Sequence, residues 1–215
     1  MTIGIPFIIA APSGAGKTSL VNALVESDPS LLVSVSYTTR YVRPDEKDGV
    51  HYHFVTQHQF DQLIADNALI EHAQVFDNYY GTSRAWVKEK LAAGYDVILE
   101  IDWQGAQQIR CQLSTAVSIF ILPPSFASLF QRLRKRSQDE DLVIEKRMRA
   151  AQAEMSHYRE FDYLIVNDDF DTALNDLKAI IRSEHLRREQ RLADIANLIT
   201  NLLVTRGQKK EDKEK

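Results

Sequence analysis

The sequence predicts an α/β fold in which a central parallel sheet carries helices on both faces. Short, continuous apolar runs recur along the chain with amphipathic segments between them, which is typical of buried parallel strands joined by helices. A glycine-rich segment follows the first run and opens the first amphipathic segment. The apolar runs predicted to be strands cover residues 7–11, 97–101, 117–122 and 163–166.

The glycine-rich segment is typical of a phosphate-binding loop. In such a loop backbone N–H groups surround phosphate oxygens, and the next helix adds the positive end of its dipole. Lys17 would reach the β- and γ-phosphates, and the Thr18 hydroxyl would bind Mg²⁺. The usual pattern begins with Gly, but the methyl group of Ala11 is compatible with strand-like dihedrals. The predicted ATP site comprises Ala11, Pro12, Ser13, Gly14, Ala15, Gly16, Lys17, Thr18 and Ser19.

Length and composition restrict the class of protein. The 215 residues, 44% hydrophobic and 26% charged, can bury the core of one domain with insertions. The net charge of −4 argues against general nucleic-acid binding. No apolar stretch approaches the ~20 residues that cross a bilayer. Cys111 has no partner for an internal disulfide, and no secretory leader is recognisable. We expect a cytoplasmic protein with small-molecule partners, and homo-oligomerisation stays open.

Residues 34–94 interrupt the alternation of strands and helices. Aromatic and polar residues dominate there, with turn signals at Pro44, Gly49 and Gly81. We interpret this stretch as an inserted substrate-binding subdomain. Residues 33–39 are predicted to form one further strand, and Thr56 and Ser83 are predicted to cap helices over residues 57–66 and 84–93.

The second half of the chain is predicted to be mainly helical. Ser125 would cap a helix over residues 126–135, and further helices would cover residues 141–155 and 171–188. Residues 207–215 are predicted to be a solvated, disordered tail. Before that tail lies an apolar stripe, for which we favour packing on the parent domain over a partner-facing role. The stripe comprises Leu192, Ile195, Leu198, Ile199 and Leu202.

Two features of the predicted insertion suit a second substrate. Arg40 and Arg43 flank a turn, and paired guanidinium groups bind phosphate well, although exposed arginines are more often solvated charge. Glu71 lies between apolar neighbours and ordinarily would point outward. If it points into a pocket, its carboxylate can accept hydrogen bonds from the N1–H and N2–H₂ groups of guanine. The N1 atom of adenine is itself an acceptor, so adenine would leave the carboxylate without a donor.

Acidic and basic residues flank the predicted sheet. Glu100 and Asp102 lie near the carboxyl end of a strand, where open α/β sheets bind ligands. Asp102 is the better candidate to hold magnesium or its waters. Basic residues predominate over residues 132–149, where they could close over a triphosphate or form a solvated helix face.

Together these segments resemble the guanylate kinase family, most closely its bacterial members. The resemblance covers roughly nine tenths of the chain in order, and ordered agreement of this extent is specific. It is carried by residues 11–19, 34–43, 51–54, 70–71, 78–81, 99–105, 119–125, 155–158 and 163–168.

The resemblance implies a P-loop kinase fold that transfers the γ-phosphoryl group of ATP to GMP with Mg²⁺, in purine nucleotide metabolism. It implies a core over residues 1–33, 95–124 and 157–190, a GMP-binding insertion over 34–94, a lid over 125–156, and a C-terminal helix and charged tail over 191–215. The catalytic residues would be Lys17, Arg132, Arg136 and Arg147. Thr18 and Asp102 would bind the metal, Asp102 through water, and adenine would lie near Asn167. GMP would be bound by Ser36, Arg40, Arg43, Tyr52, Glu71, Tyr80, Thr82, Glu100 and Asp102.

Two other functions compete with this interpretation. A guanylate-kinase-like binding module of the scaffolding type would recognise phosphorylated partners without catalysis, and a damaged phosphate loop would be expected. A kinase for another nucleoside monophosphate would keep the chemistry and change the base. Lys17 and Thr18 argue against the first, and Glu71 and Thr82 argue against the second.

Overall fold

The computed structural model describes residues 3–75, 77–136 and 141–211. A short 3₁₀ helix covers Ser156–Glu160. The other elements, in chain order, are β1 (Pro6–Ala10), α1 (Lys17–Ser27), β2 (Leu31–Val33), β3 (Tyr37–Thr38), β4 (His53–Phe54), α2 (Gln57–Ala65), β5 (Leu69–Val75), β6 (Asn78–Ser83), α3 (Arg84–Ala92), β7 (Asp96–Glu100), α4 (Trp103–Gln112), β8 (Val117–Leu122), α5 (Phe126–Arg136), α6 (Asp141–Met155), β9 (Tyr163–Val166), α7 (Phe170–His185) and α8 (Arg188–Glu211).

Five strands form the parallel sheet that the sequence predicts. Their order is β2-β7-β1-β8-β9, and every neighbouring pair is parallel. Because β1 is the middle strand, the loop that follows it emerges at the centre of the sheet's carboxyl edge. This is the edge at which parallel α/β sheets place their ligands.

Helices cover both faces of this sheet. Alternate residues of β1 point to opposite faces: Phe7 and Ile9 pack in a cluster with residues of α1 and α7, whereas Ile8 and Ala10 pack in a second cluster with residues of α3 and α4. All four side chains are at most 1% exposed, so β1 is buried on both sides. The predicted α/β class is confirmed.

A second sheet lies in the predicted insertion, with the order β4-β3-β6-β5. The prediction of one strand over residues 33–39 is wrong, because the chain changes sheets within it. The Ser34 N–H still donates to the Ile98 carbonyl at the end of the parallel sheet, whereas Tyr37 and Thr38 pair with β6. A continuous β-type pattern does not reveal which sheet each residue joins.

The predicted helix caps at Thr56, Ser83 and Ser125 are confirmed, whereas the helix predicted over residues 171–188 covers Phe170–His185. Thr56 and Gln59 form a reciprocal capping box, the Ser83 hydroxyl accepts from the Trp86 N–H, and the Ser125 hydroxyl accepts from the Ser128 N–H at 3.1 Å. The helix α4 is not among the predicted elements. The helix α3 lies within the predicted insertion, but its Val87 and Leu91 pack in the core of the parallel sheet. We therefore place the insertion's end nearer to β6.

The C-terminal helix differs from the prediction. Leu192, Leu198 and Leu202 are 47%, 56% and 61% exposed, so the expected packing of the whole stripe on the parent domain is wrong for these three. Ile195 and Ile199 are half-buried. The helix α8 continues through Glu211, past the predicted start of a disordered tail, and residues 212–215 lie outside the described part. No helix among the described residues has the length and apolar character needed to cross a membrane.

Candidate active site

The phosphate loop connects β1 to α1 with two left-handed glycines. Gly14 and Gly16 have φ of 90° and 96°, a conformation that other residues rarely adopt. Among the described non-glycine residues, Asn67 alone has a positive φ. Ala11 therefore has a backbone that tolerates its methyl group, and this departure from the usual loop pattern does not distort the turn.

Asn167 and Arg132 hold the far side of the loop. The Asn167 side-chain amide donates to the Ala15 carbonyl at 2.7 Å, and the Arg132 guanidinium donates to the Ala15 and Asn167 carbonyls at 3.3 and 2.9 Å. A Cβ on Gly16 would collide with the Asn167 amide nitrogen. The two residues that were expected to contact nucleotide thus also fix the shape of the loop.

Carboxylates lie at the carboxyl end of β7. The Thr18 hydroxyl donates to Glu100 Oε2 at 3.2 Å. Asp102 is the N-cap of α4, where Oδ1 accepts from the Gly105 N–H at 2.9 Å and Oδ2 accepts from the Gln104 side chain at 3.0 Å. The structure therefore brings Glu100, rather than Asp102, into contact with Thr18.

The second site is built around a buried carboxylate. Glu71 lies on β5 and is 3% exposed. Its side chain therefore points inward, which is the second of the two orientations considered from the sequence. Its Oε1 atom accepts from the Thr82 hydroxyl at 2.6 Å, and that hydroxyl lies 3.5 Å from the Ser36 hydroxyl. Burial is the largest cause that raises the pKa of Glu71, to about 7. The three residues expected to contact guanine thus form one connected group.

The residues expected to bind the acceptor phosphate lie beside this group. Arg40 forms an ion pair with Glu46 at 2.7 Å and lies 5.4 Å from the centre of the Tyr52 ring. Tyr52 and Tyr80 meet edge to face at 5.9 Å. The hydrogen bond to Glu46 raises the pKa of Arg40. Arg43 is exposed, and its backbone N–H donates to Glu46 at 2.9 Å.

The phosphate loop and the second sheet influence each other electrostatically. The charges of Asp102 and Lys17 both act on the pKa of Glu71, the first raising it and the second lowering it. Burial raises the pKa of Tyr52, and the charge of Glu100 raises it further. Lys17 of the loop and Glu71 of the second sheet therefore lie within electrostatic reach of each other, and we call the region between them the cleft.

The predicted lid arginines are only partly described. Arg132 contacts the phosphate loop, and Arg147 is half-buried on α6. Arg136 ends α5, its side chain lies outside the described part, and so do residues 137–140 of the predicted lid. These roles stay predictions.

Sequence reasoning missed three residues of this cleft. Glu46 is the ion-pair partner of Arg40, Gly105 lies against Glu71, and Glu154 is a half-buried carboxyl whose pKa burial raises to about 7. Asp102 carried one usable signal for the helix that contains Gly105, because an Asp directly before a helical segment is a common N-cap.

The fold and the cleft define the protein as a member of the P-loop kinases, with a phosphate loop at the centre of a parallel sheet. Comparison with known proteins agrees. The family model described as guanylate kinase matches residues 4–184. The chain is 56% identical to a guanylate kinase of Vibrio parahaemolyticus, with 93% of this chain and 98% of that protein covered. It is 58% identical to a guanylate kinase of Photorhabdus laumondii, with 94% and 99% covered.

A solved structure gives the same result. The crystal structure of guanylate kinase from Anaplasma phagocytophilum matches with a TM-score of 0.76 and 32% sequence identity, and the match covers 90% of this chain and 94% of that chain. The chain belongs to the guanylate kinase family.

Proposed function

We propose that the protein transfers the γ-phosphoryl group of ATP to GMP and releases ADP and GDP. An oxygen of the GMP phosphate forms the new bond to the γ-phosphorus as the bond to the bridging oxygen of ATP breaks. The observation that carries the proposal is the buried Glu71, 3% exposed and bonded to the Thr82 hydroxyl at 2.6 Å, in a chain whose β1–α1 loop has the left-handed glycines of a phosphate loop. The reaction would belong to purine nucleotide metabolism in the cytoplasm.

The donor site is assigned to the phosphate loop. Backbone N–H groups between Gly14 and Thr18 would surround the β-phosphate, and the Lys17 ammonium would reach the γ-phosphate. Arg132 and Asn167, which hold the Ala15 carbonyl, would keep these N–H groups in place. Asn167 would also border the adenine, and Arg132, with Arg136 and Arg147, would stabilise the charge of the transferred phosphoryl group. The protein takes little part in the covalent chemistry of phosphoryl transfer, so most of the rate acceleration comes from positioning the substrates and stabilising charge.

The acceptor site is assigned to the second sheet. The Glu71 carboxylate would accept the N1–H and N2–H₂ donors of guanine, and the Ser36 and Thr82 hydroxyls would complete the base pocket. Adenine offers an acceptor at N1, so it would leave a desolvated carboxylate unpaired. Arg40 and Arg43, with Tyr52 and Tyr80, would hold the phosphate of GMP.

The residues present fit a magnesium ion that arrives with ATP. The ion prefers oxygen ligands and retains several waters, and the Thr18 hydroxyl and Glu100 carboxylate already meet at 3.2 Å. Thr18 would bind the ion directly, and Glu100 and Asp102 would bind its waters. When bound, the ion neutralises charge on the β- and γ-phosphates.

Two substitutions test whether the sites are separate. Lys17→Ala is expected to abolish transfer and weaken ATP while GMP affinity is retained, and Glu71→Ala is expected to weaken GMP far more than ATP. Isothermal titration with each nucleotide alone measures both, and Lys88→Ala, at an exposed lysine of α3, is the matched control. Equal losses for both nucleotides in either variant would contradict the assignment.

A further inference from the structure

Glutamine side chains of α4 bind the outer edge of the second sheet. The strand β5 is the last in the order β4-β3-β6-β5, so its outer edge faces away from β6. At this edge Gln108 Oε1 accepts from the His72 N–H at 3.1 Å, and Gln108 Nε2 donates to the His72 carbonyl at 2.7 Å. Gln112 Nε2 donates to the Ile70 carbonyl at 2.5 Å. The two glutamines therefore bind the backbone of β5 on both sides of Glu71.

The residues of α4 that meet this edge lie on one face of the helix. Gly105, Gln108 and Gln112 are spaced by three and four residues, which places them in one row along a helix. Gly105 lies against the Glu71 carboxylate. The same face of α4 thus contacts the side chain of Glu71 and the backbone of its two neighbours in the chain.

The orientation of both side-chain amides is fixed by their partners. The Arg84 guanidinium donates to Gln112 Oε1 at 2.5 Å, which leaves the amide nitrogen of Gln112 to donate to Ile70. Gln108 meets both the N–H and the carbonyl of His72, and only one orientation of its amide satisfies both groups. Since α3 and α4 also pack in the core of the parallel sheet, these contacts join the second sheet to that core.

We propose that Gln108 is a positioning residue for guanine selection, which holds β5 against α4 so that the Glu71 carboxylate meets the base in a single geometry. This rests on the proposed assignment of Glu71 to guanine. Glu71 is buried, and its Oε1 atom accepts from the Thr82 hydroxyl, so the direction of its remaining lone pairs follows the backbone of β5. Hydrogen bonds weaken steeply when they are misaligned, and a displaced strand would therefore bind the two donors of guanine less well.

The variant Gln108→Ala removes both contacts with His72. We expect the KM for GMP to rise about tenfold and the KM for ATP to stay within about twofold. GMP offers the carboxylate N1–H and N2–H₂, whereas inosine monophosphate offers only N1–H. The ratio of kcat/KM for GMP to that for inosine monophosphate should therefore fall by about threefold or more, and a general loss of stability would leave this ratio unchanged.

The matched control lies on the same helix. Gln107 is exposed, and its side chain donates to Glu160 at 2.8 Å rather than to β5. Gln107→Ala thus removes a glutamine and one side-chain hydrogen bond from α4 without touching the second sheet. Its KM for GMP and its ratio for the two monophosphates should equal those of wild type.

A double-mutant cycle separates positioning from a structural role. If Gln108 acts through the Glu71 carboxylate, Gln108→Ala should change the KM for GMP by less than about twofold in a Glu71→Gln background. Gln108→Glu guards against a folding defect, because it keeps the length of the side chain and an acceptor for the His72 N–H and loses the donor to the carbonyl. It should also raise the KM for GMP.

The outcomes distinguish this inference from the function on which it rests. An unchanged KM for GMP in both Gln108 variants, or the full effect of Gln108→Ala persisting in the Glu71→Gln background, would overturn the positioning role alone. If Glu71→Ala binds GMP as tightly as wild type does, the assignment of Glu71 to guanine falls, and the role of Gln108 falls with it.

Discussion

Glu71 Oε2 lies against the backbone of Gly105, where a Cβ on residue 105 would come within 2.6 Å of that oxygen. Gly105 is buried in the first turn of α4, and its N–H donates to the Asp102 side chain. The helix thus approaches the carboxylate closely because it has no side chain at this point. The position of the residue assigned to guanine depends on a glycine of a different element.

Replacing this glycine tests that dependence. Gly105→Ala is expected to push the Glu71 carboxylate out of place and raise the KM for GMP by about 10- to 100-fold, because a misplaced buried acceptor loses its hydrogen bonds. The collision lowers the free energy of unfolding, and the helix preference of alanine over glycine, about 1 kcal/mol, offsets part of that loss. Steady-state kinetics with GMP varied at saturating ATP gives the result. Cys111→Ala, at an exposed site of α4, serves as the control, and an unaltered KM for GMP in Gly105→Ala would contradict the account.

The raised pKa of Glu71 predicts a pH dependence of GMP binding. Its value of about 7 means that the carboxyl gains a proton as pH falls through 7, and the protonated form can no longer accept both guanine donors. GMP affinity is therefore expected to fall between about pH 8 and pH 6, and ATP affinity should not follow the same curve. Titration of GMP into wild type and Glu71→Gln at each pH separates this group from the phosphate of GMP. The prediction fails if the two proteins show the same pH dependence.

The left-handed turn at Gly16 predicts a second glycine effect. Gly16→Ala combines a φ of 96° with a collision against the Asn167 amide. We expect a loss of about 1–2 kcal/mol in the free energy of unfolding and at least about 100-fold weaker ATP binding. GMP binding should be retained. Chemical denaturation and nucleotide titration measure these effects.

Gly49→Ala provides the matched control for that substitution. Gly49 also has a positive φ, 72°, but the nearest atom to an added Cβ is 4.0 Å away, in the His53 side chain. It therefore shares the backbone strain and lacks the collision. Its ATP affinity should equal that of wild type, and a loss as large as that of Gly16→Ala would show that strain alone explains the effect.

Local signals made much of the fold predictable. The four apolar strands, the glycine-rich loop and the caps at Thr56 and Ser83 each depend on a few neighbouring residues, and the structure contains all of them. The strands β5 and β6 were not predicted, because their buried positions include Glu71 and Thr82, which break the apolar pattern.

The cleft was less predictable where one residue type has two roles. Asp102 was expected to hold the metal, and in the structure its carboxylate caps α4 and accepts from the Gln104 side chain. Glu154 lies in an amphipathic helix with many charges, where a carboxylate ordinarily points to solvent. It is half-buried instead, and burial by residues distant in the chain leaves no local pattern.

The central claim is that two facing sites hold ATP and a guanine mononucleotide. A coupled assay that follows ADP formation with Mg²⁺, ATP and each nucleoside monophosphate in turn tests it most directly. We expect rapid turnover with GMP, and a kcat/KM for AMP lower by about 10⁴-fold or more. Comparable turnover with AMP, or no conversion of GMP by the purified protein, would contradict the account.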